Sequence, residues 1–254
     1  MQEEKLSKAP LQEVIFEIRW DLDINPRNSM QYDKGFELAQ GKFQNLIKDE
    51  FPFYIRKFPL EFPGINMLNY SIIHQFWKSS GEWPVIQLGP GIFSVNDTEK
   101  NYIWKDRFYP LIQSSIGKLF SAYEEKINVS LCNLRYIDAV RLNQYPENKT
   151  IDMLSFVRDN LKIDLKNNFE LDGNQRSFNI NQFFQLSDES ELNILVTNGV
   201  HQKTREATLV WQTGITKKKI FNKEEIVEWC QSAHSIISPL FKKMTKGKLY
   251  DSFK

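Results

Sequence analysis

Between Val14 and Trp20 the chain alternates without a break: Val14, Phe16, Ile18 and Trp20 fall on one side, and Ile15, Glu17 and Arg19 on the other. A period of two over seven β-branched, aromatic and charged residues fits a half-buried strand, whereas a helix would scatter the same residues around its axis. Half a chain later Val129-Ser-Leu-Cys-Asn-Leu-Arg-Tyr-Ile-Asp-Ala-Val-Arg-Leu142 repeats the pattern. These two strands open two similar runs of elements, and that recurrence limits the fold more than any other feature.

After Trp20, the stretch Asp21 to Ser29 carries turn chemistry. From Phe36 the period changes: Phe36, Ala39, Phe43, Leu46 and Ile47 recur at three and four, which predicts an amphipathic helix ending by Pro52. Pro52, Pro59, Pro63 and Gly64 mark extended or edge segments, because proline cannot donate to a central ladder. Short strands follow over 67–77, 83–88 and 91–95, separated by Ser79-Ser-Gly81 and Gly89-Pro-Gly91, and form an antiparallel meander. A helix from Trp104 to Tyr123 closes this half, with Pro110 at its first turn or a kink.

The second half keeps the order. Its leading strand passes through Gln144-Tyr-Pro-Glu-Asn148 into a helix carrying Ile151, Leu154, Phe156, Val157 and Leu161. Two or three strands, in 177–186, 191–200 and 207–220, precede a last helix bearing Ile226, Trp229, Ala233, Ile236, Ile237, Leu240 and Met244. The expected fold class is therefore α+β, with two helix-grip-like halves, 9–126 and 127–248. Each reads strand, helix, antiparallel strands, long helix, and pairing of the two leading strands would join the halves in one shared curved antiparallel sheet and remove two exposed edges.

Composition narrows the function classes. Lys+Arg at 33 against Asp+Glu at 32 leaves a net charge of +1, so no global field draws in nucleic acid or an anionic membrane. Lys217-Lys-Lys219 and Lys242, Lys243, Lys246 and Lys248 are local clusters, and the last group suits a helix C-terminus. Two cysteines, Cys132 and Cys230, make no disulfide framework, and no apolar run resembles a signal or membrane span, so a cytoplasmic protein with reduced thiols is expected. Cys230 and His234 stand at i and i+4, yet two ligands do not close a zinc site, and neither metal nor cofactor is expected.

The opening Ala9-Pro-Leu-Gln-Glu-Val-Ile-Phe-Glu-Ile-Arg-Trp20, then Gly91-Ile-Phe-Ser-Val-Asn96 with Trp104 and Tyr109-Pro110, then Asn133-Leu-Arg-Tyr-Ile-Asp138, together resemble a sporadically distributed prokaryotic family of unknown function with members of about this length. The resemblance runs over essentially the whole chain. It implies no activity, cofactor or catalytic residue, only the setting of genes that travel with mobile elements, antiphage defence or toxin-antitoxin loci.

No nucleophile elbow, P-loop, dinucleotide fingerprint or zincin motif occurs. The expectation is a non-enzymatic binding or accessory protein whose partner is another protein encoded in the same operon, with a small-molecule ligand as a further option. Phe16, Trp20, Trp77, Trp83, Arg135, Tyr136 and Trp211 are the candidate recognition residues, from an aromatic content of 13% that a thick core also explains. The alternative is an enzyme or sensor for a nucleotide or small molecule in a cleft between the halves, with Glu17, Arg19, Arg135 and Asp138 as its polar cluster. Solvated cross-strand ion pairs on the leading strands, such as Glu17 with Arg135 or Arg141, are the plainer reading of these charges.

Overall fold

A computed structural model of the chain describes residues 6–58, 68–98, 100, 102–145, 153–165, 168, 172, 176–201 and 203–254. Pro59, Pro63, Gly64, Met67, Pro146 to Asn148 and Ile151, which figure in the sequence reading, lie outside the described residues.

In chain order the elements are β1 (Leu11–Trp20), β2 (Asp23–Ile24), β3 (Gln31–Tyr32), α1 (Phe36–Ile47), β4 (Phe53–Arg56), β5 (His74–Trp77), β6 (Val85–Gly89), β7 (Ile92–Asp97), a π-helical turn (Trp104–Phe108), α2 (Tyr109–Ala122), β8 (Val129–Arg141), a 3-10 turn (Leu142–Gln144), α3 (Met153–Leu161), β9 (Asn179–Gln185), β10 (Glu191–Val200), β11 (Ala207–Phe221), α4 (Lys223–Thr245) and α5 (Lys248–Asp251). The chain is α+β. Hydrogen bonding orders a nine-stranded sheet β4-β5-β6-β7-β1-β8-β11-β10-β9, and β2 and β3 form a separate pair. The pairings β4–β5, β5–β6, β6–β7, β7–β1 and β10–β9 are antiparallel.

Two compact units divide the chain, one of residues 13–135 with 216–232, the other of residues 1–12, 136–215 and 233–254. In the first unit, Val14, Phe16, Ile18 and Trp20 of β1 are at most 2% exposed. The register Phe16↔Val95 and Ile18↔Phe93 continues this apolar face onto β7, and Ile86↔Val95 and Leu88↔Phe93 carry it to β6. Helix α1 buries Phe36, Ala39, Phe43 and Ile47, the three-and-four spacing read from the sequence. The Phe43 ring meets Phe76 and Phe93 edge-on, at 5.8 and 5.7 Å. Helix α2 adds Ile112, Ile116 and Leu119 to the same core.

The helix expected from Trp104 begins as a wider turn. Pro110 has no N–H to give, so the turn ahead of it is π-helical and Tyr109 N–H reaches back to the Trp104 carbonyl. The α-helical part starts at Tyr109, with Pro110 in the first turn, where a missing donor costs least. Two other segments differ from the sequence reading. The strand expected over 67–77 starts only at His74, and the stretch read as a turn after Trp20 contains β2.

In the second unit, Leu192, Ile194 and Val196 of β10 and Leu209, Trp211 and Ile215 of β11 are buried. Phe156, Val157 and Leu161 of α3 and Ala233, Ile237 and Met244 of α4 are buried as well. Tyr145 packs edge-on against Phe156 at 5.6 Å, and Phe241 stacks on Phe253 at 6.2 Å. Backbone bonds from Lys8 N to Phe253 O and from Ala139 N to Pro10 O, each 2.9 Å, tie down the N-terminal segment.

The turn between β6 and β7 tests this packing. A Cβ on Gly89 would lie 1.9 Å from the Ser71 carbonyl oxygen, backbone that cannot swing aside. Gly41 in α1 and Gly117 in α2 have nothing within 4 Å of such an atom. In urea denaturation Gly89→Ala is expected to lower stability by about 1–3 kcal/mol. Gly41→Ala and Gly117→Ala should each raise it by about 0.5–1 kcal/mol, since alanine restricts the unfolded chain and favours helix.

Candidate functional site

Alternation along β1 and β8 decides which polar side chains can meet. On β1 the residues Glu13, Ile15, Glu17 and Arg19 share the face opposite the Val14–Trp20 core stripe. Arg19 Nε donates to Glu17 Oε1 at 2.8 Å, with 41% of the arginine and 15% of the glutamate side chain exposed, and the guanidinium also lies 5.8 Å from the Tyr70 ring centre. The Glu17–Arg19 pair is therefore made within one strand. Arg141 pairs with Glu206 at 3.4 Å, and the pairing expected across the leading strands is not formed: among the described residues Arg135 has no ion pair and its Nε has no partner. Two residues along the same strand already bring opposite charges together on one face, so a cross-strand partner adds little.

Asp138 lies an odd number of residues from Arg135, on the buried face of β8 with Cys132, Leu134, Tyr136 and Val140. The four polar groups of the enzyme alternative are thus split: Glu17, Arg19 and Arg135 lie on part-exposed strand positions, and Asp138 lies on the buried face. Asp138 is 4% exposed and makes no hydrogen bond or ion pair with a described residue. Burial pushes its carboxyl up to about 8, so it is a neutral acid through most of the neutral range. Two residues away on that face, the Tyr136 hydroxyl and His234 Nδ1 are 2.9 Å apart, a buried contact between β8 and α4. Cys230 is also buried, which raises its thiol well above the usual range, and among the described residues no three metal-ligating side chains gather.

The aromatic candidates divide as well. Phe16, Trp20 and Trp211 are at most 2% exposed and belong to the core, and Trp211 Nε1 has no hydrogen-bond partner among the described residues. Trp77 and Trp83 come together. Their rings meet edge-on at 5.3 Å, both half-buried, with Trp77 closing β5 and Trp83 leading into β6. Beside Trp83 is a cleft of about 340 Å³ within the first unit, lined by Phe51, Pro84, Pro110 and Leu111 together with Lys78, Arg107, Glu50, Glu82, Asp97 and Ser114.

The cleft is lined by apolar and charged residues together, and of these Asp97 is buried while Lys78, Glu82 and Pro110 are exposed. Glu50 is engaged with Lys118, Glu82 accepts from the Ser79 hydroxyl at 2.7 Å, and Asp97 Oδ1 accepts from Thr98 N–H at 2.8 Å. Lys78 is exposed and makes no ion pair among the described residues, so an exposed cation and the Trp83 indole line the same cleft. Sequence reading identified the two tryptophans and missed Lys78, Glu50 and Arg107. These come from α1's end, the β5–β6 hairpin and the turn before α2, and no spacing in the sequence links them. No family model, curated protein or solved structure matches the chain.

Two buried ionisable groups predict opposite responses to pH. Asp138 ordinarily ionises near 3.8 and in the fold near 8, so between these values the folded protein holds a proton that the unfolded chain has released. Stability from this group is full below 3.8, falls as pH rises toward 8, and is level above that. His74 is held down to about 4 from 6.5 by burial and by Arg56, and its Nδ1 lies 2.7 Å from the Tyr54 hydroxyl. Its contribution is present above 6.5 and is lost as pH falls toward 4. Denaturant titrations should show Asp138→Asn gaining on the native chain steadily between pH 4 and 8, to about 2 kcal/mol or more. His74→Gln should flatten the loss on the acid side.

Proposed function

We propose that this chain is a non-enzymatic binding or accessory protein, and that the cleft beside Trp83 receives a segment of a protein partner. The observation that carries the reading is the Trp77–Trp83 pair, with Trp83 lining a cleft to which Phe51, Pro84 and Leu111 contribute apolar surface and Lys78 an exposed cation. An indole and a cation lining one cleft suit an extended segment that offers an apolar side chain followed by a carboxylate. The division of Glu17, Arg19, Arg135 and Asp138 between strand faces weakens the alternative of an enzyme or sensor for a nucleotide or small molecule. That alternative keeps one supporting observation, the desolvated Asp138.

The architecture behind this reading is a duplication into two helix-grip-like halves, 9–126 and 127–248. The order of strands supports it: β7 and then β6, β5 and β4 extend from β1, while β11 and then β10 and β9 extend from β8. In each run the last strand of a half lies next to the first. The setting we propose is cytoplasmic, in a small operon of antiphage-defence or toxin-antitoxin type, with the partner encoded alongside; this follows the family resemblance of the three motifs.

The test is affinity capture of the full chain from its own host, followed by mass spectrometry of retained proteins and extracted small molecules. A stoichiometric protein retained by the native chain, and lost with Trp83→Ala and Lys78→Glu while circular dichroism is unchanged, is the expected outcome. Retention of a metabolite with no protein would transfer the reading to the sensor or enzyme, and a partner indifferent to both substitutions would remove the cleft from it.

A further inference from the structure

The two strands that end the sheet, β4 and β9, have opposite chemistry. β4 is four residues long, follows Pro52 and ends in Arg56-Lys57, the usual means of discouraging another strand from adding on. β9 is seven residues long, Asn179-Ile-Asn-Gln-Phe-Phe-Gln185, with neither charge nor proline. Phe183 is 59% exposed and Phe184 44%, and all seven residues except Ile180 are exposed. We propose that β9 is a dimerisation edge, pairing antiparallel with β9 of a second copy of this chain.

The register follows from the backbone. Leu186 N–H bonds to Ser190 O at 2.8 Å, so the even-numbered residues 180, 182 and 184 direct their N–H and C=O toward β10, in register with Val196, Ile194 and Leu192. The odd-numbered Asn179, Asn181, Phe183 and Gln185 therefore direct theirs outward. An isologous contact must be self-complementary about its twofold axis, and full overlap of this strand puts that axis at Gln182. Asn181 then faces the partner's Phe183, and Asn179 faces the partner's Gln185. These are the outward-directed residues, so every outward N–H and C=O that no described residue engages along the strand meets a counterpart.

The side chains agree with the same register. Ile180 and Phe184 share one strand face, so each half-exposed isoleucine would cover the partner's Phe184. No like charges meet, because the strand has none. Beyond its ends, exposed Arg176 is placed against the acidic Asp188-Glu189 turn of the other copy, twice by symmetry. An unrelated strand would lack this fit at both ends, which is why the occupant is a second copy.

The test uses the full chain. Sedimentation equilibrium over roughly 1 to 100 µM should show a reversible dimer, in the range expected of a small interface. Phe183→Pro, which removes one outward N–H and no bond within the protein's own sheet, should shift it to monomer with its circular dichroism unchanged. Independently of that variant's folding, Gln182→Cys should cross-link to itself under mild oxidation. At a non-hydrogen-bonded pair the Cα atoms are about 4.5 Å apart, within the range of a disulfide. Asn179→Cys, about 20 Å from its own copy in this register, should not cross-link. Cys132 and Cys230 are buried and do not compete. A monomer at all concentrations, or a dimer whose Gln182→Cys form fails to cross-link, overturns the proposal. Either result leaves binding at the Trp83 cleft standing or falling on its own capture experiment.

Discussion

One carboxylate oxygen holds much of the first unit in register. Asp33 Oδ2 accepts from Trp20 Nε1 at 2.9 Å, from the Tyr123 hydroxyl at 2.9 Å and from Gly91 N–H at 3.1 Å. Those donors sit at the end of β1, just past the end of α2 and in the β6–β7 turn, and Asp33 itself precedes α1. Burial and the neighbouring charge push the Tyr123 phenol far above its usual range, so it stays a neutral donor while the carboxylate is the acceptor. Bonds to a charged acceptor are about twice as strong as neutral ones, and loss of this acceptor would leave three donors in a part-buried site without it. Gly91 is required here twice over: its φ is +75, and an added Cβ would lie 2.8 Å from the Tyr70 ring. The chain can bring four segments to one atom only because that turn has no side chain.

The sheet then sorts chemistry by parity. Along β8 Asp138 shares the buried face with Tyr136, and Arg135 lies on the other. A charge on the exposed face can find an opposite charge on its own strand, as Arg19 does with Glu17, or close to a neighbouring strand, as Arg141 does with Glu206 just ahead of β11. Asp138 on the buried face has no such partner among the described residues, and burial keeps it protonated up to about 8. The same residue types two or three positions apart are therefore an ion pair in one place and a neutral acid in another. The backbone period sets the difference, not the identity of the residue.

This is also why the fold was more legible in the sequence than the site. Alternation in Val14 to Trp20 and three-and-four spacing in Phe36 to Ile47 report burial directly, since one face of each element must leave water. Proline at positions 52 and 110 marked an edge and a first helical turn because its missing N–H has few tolerable places. Trp20 was read as a recognition residue, yet it is 2% exposed and serves the Asp33 hub. An aromatic residue's burial is visible in a strand pattern, but its hydrogen-bond partner thirteen residues on is not. The cleft beside Trp83 was less legible still, because Glu50, Lys78 and Arg107 are brought together by packing and share no periodicity.

Strand position gives the last piece of meaning to a sequence that otherwise carries none. Asn-Ile-Asn-Gln-Phe-Phe-Gln in the middle of a sheet would be an ordinary ladder strand with polar side chains filling one face. As the terminal strand β9, the same residues leave outward N–H and C=O groups along their length and two phenylalanines in water. At the other end of the sheet β4 is short, ends at Arg56 and is followed by Lys57, so the chain does supply protection where an edge is to stay alone. The contrast lies within one molecule, under one overall composition and charge. An edge without charge or proline, flanked by Arg176 at one end and Asp188 at the other, is chemically matched to its own reversal.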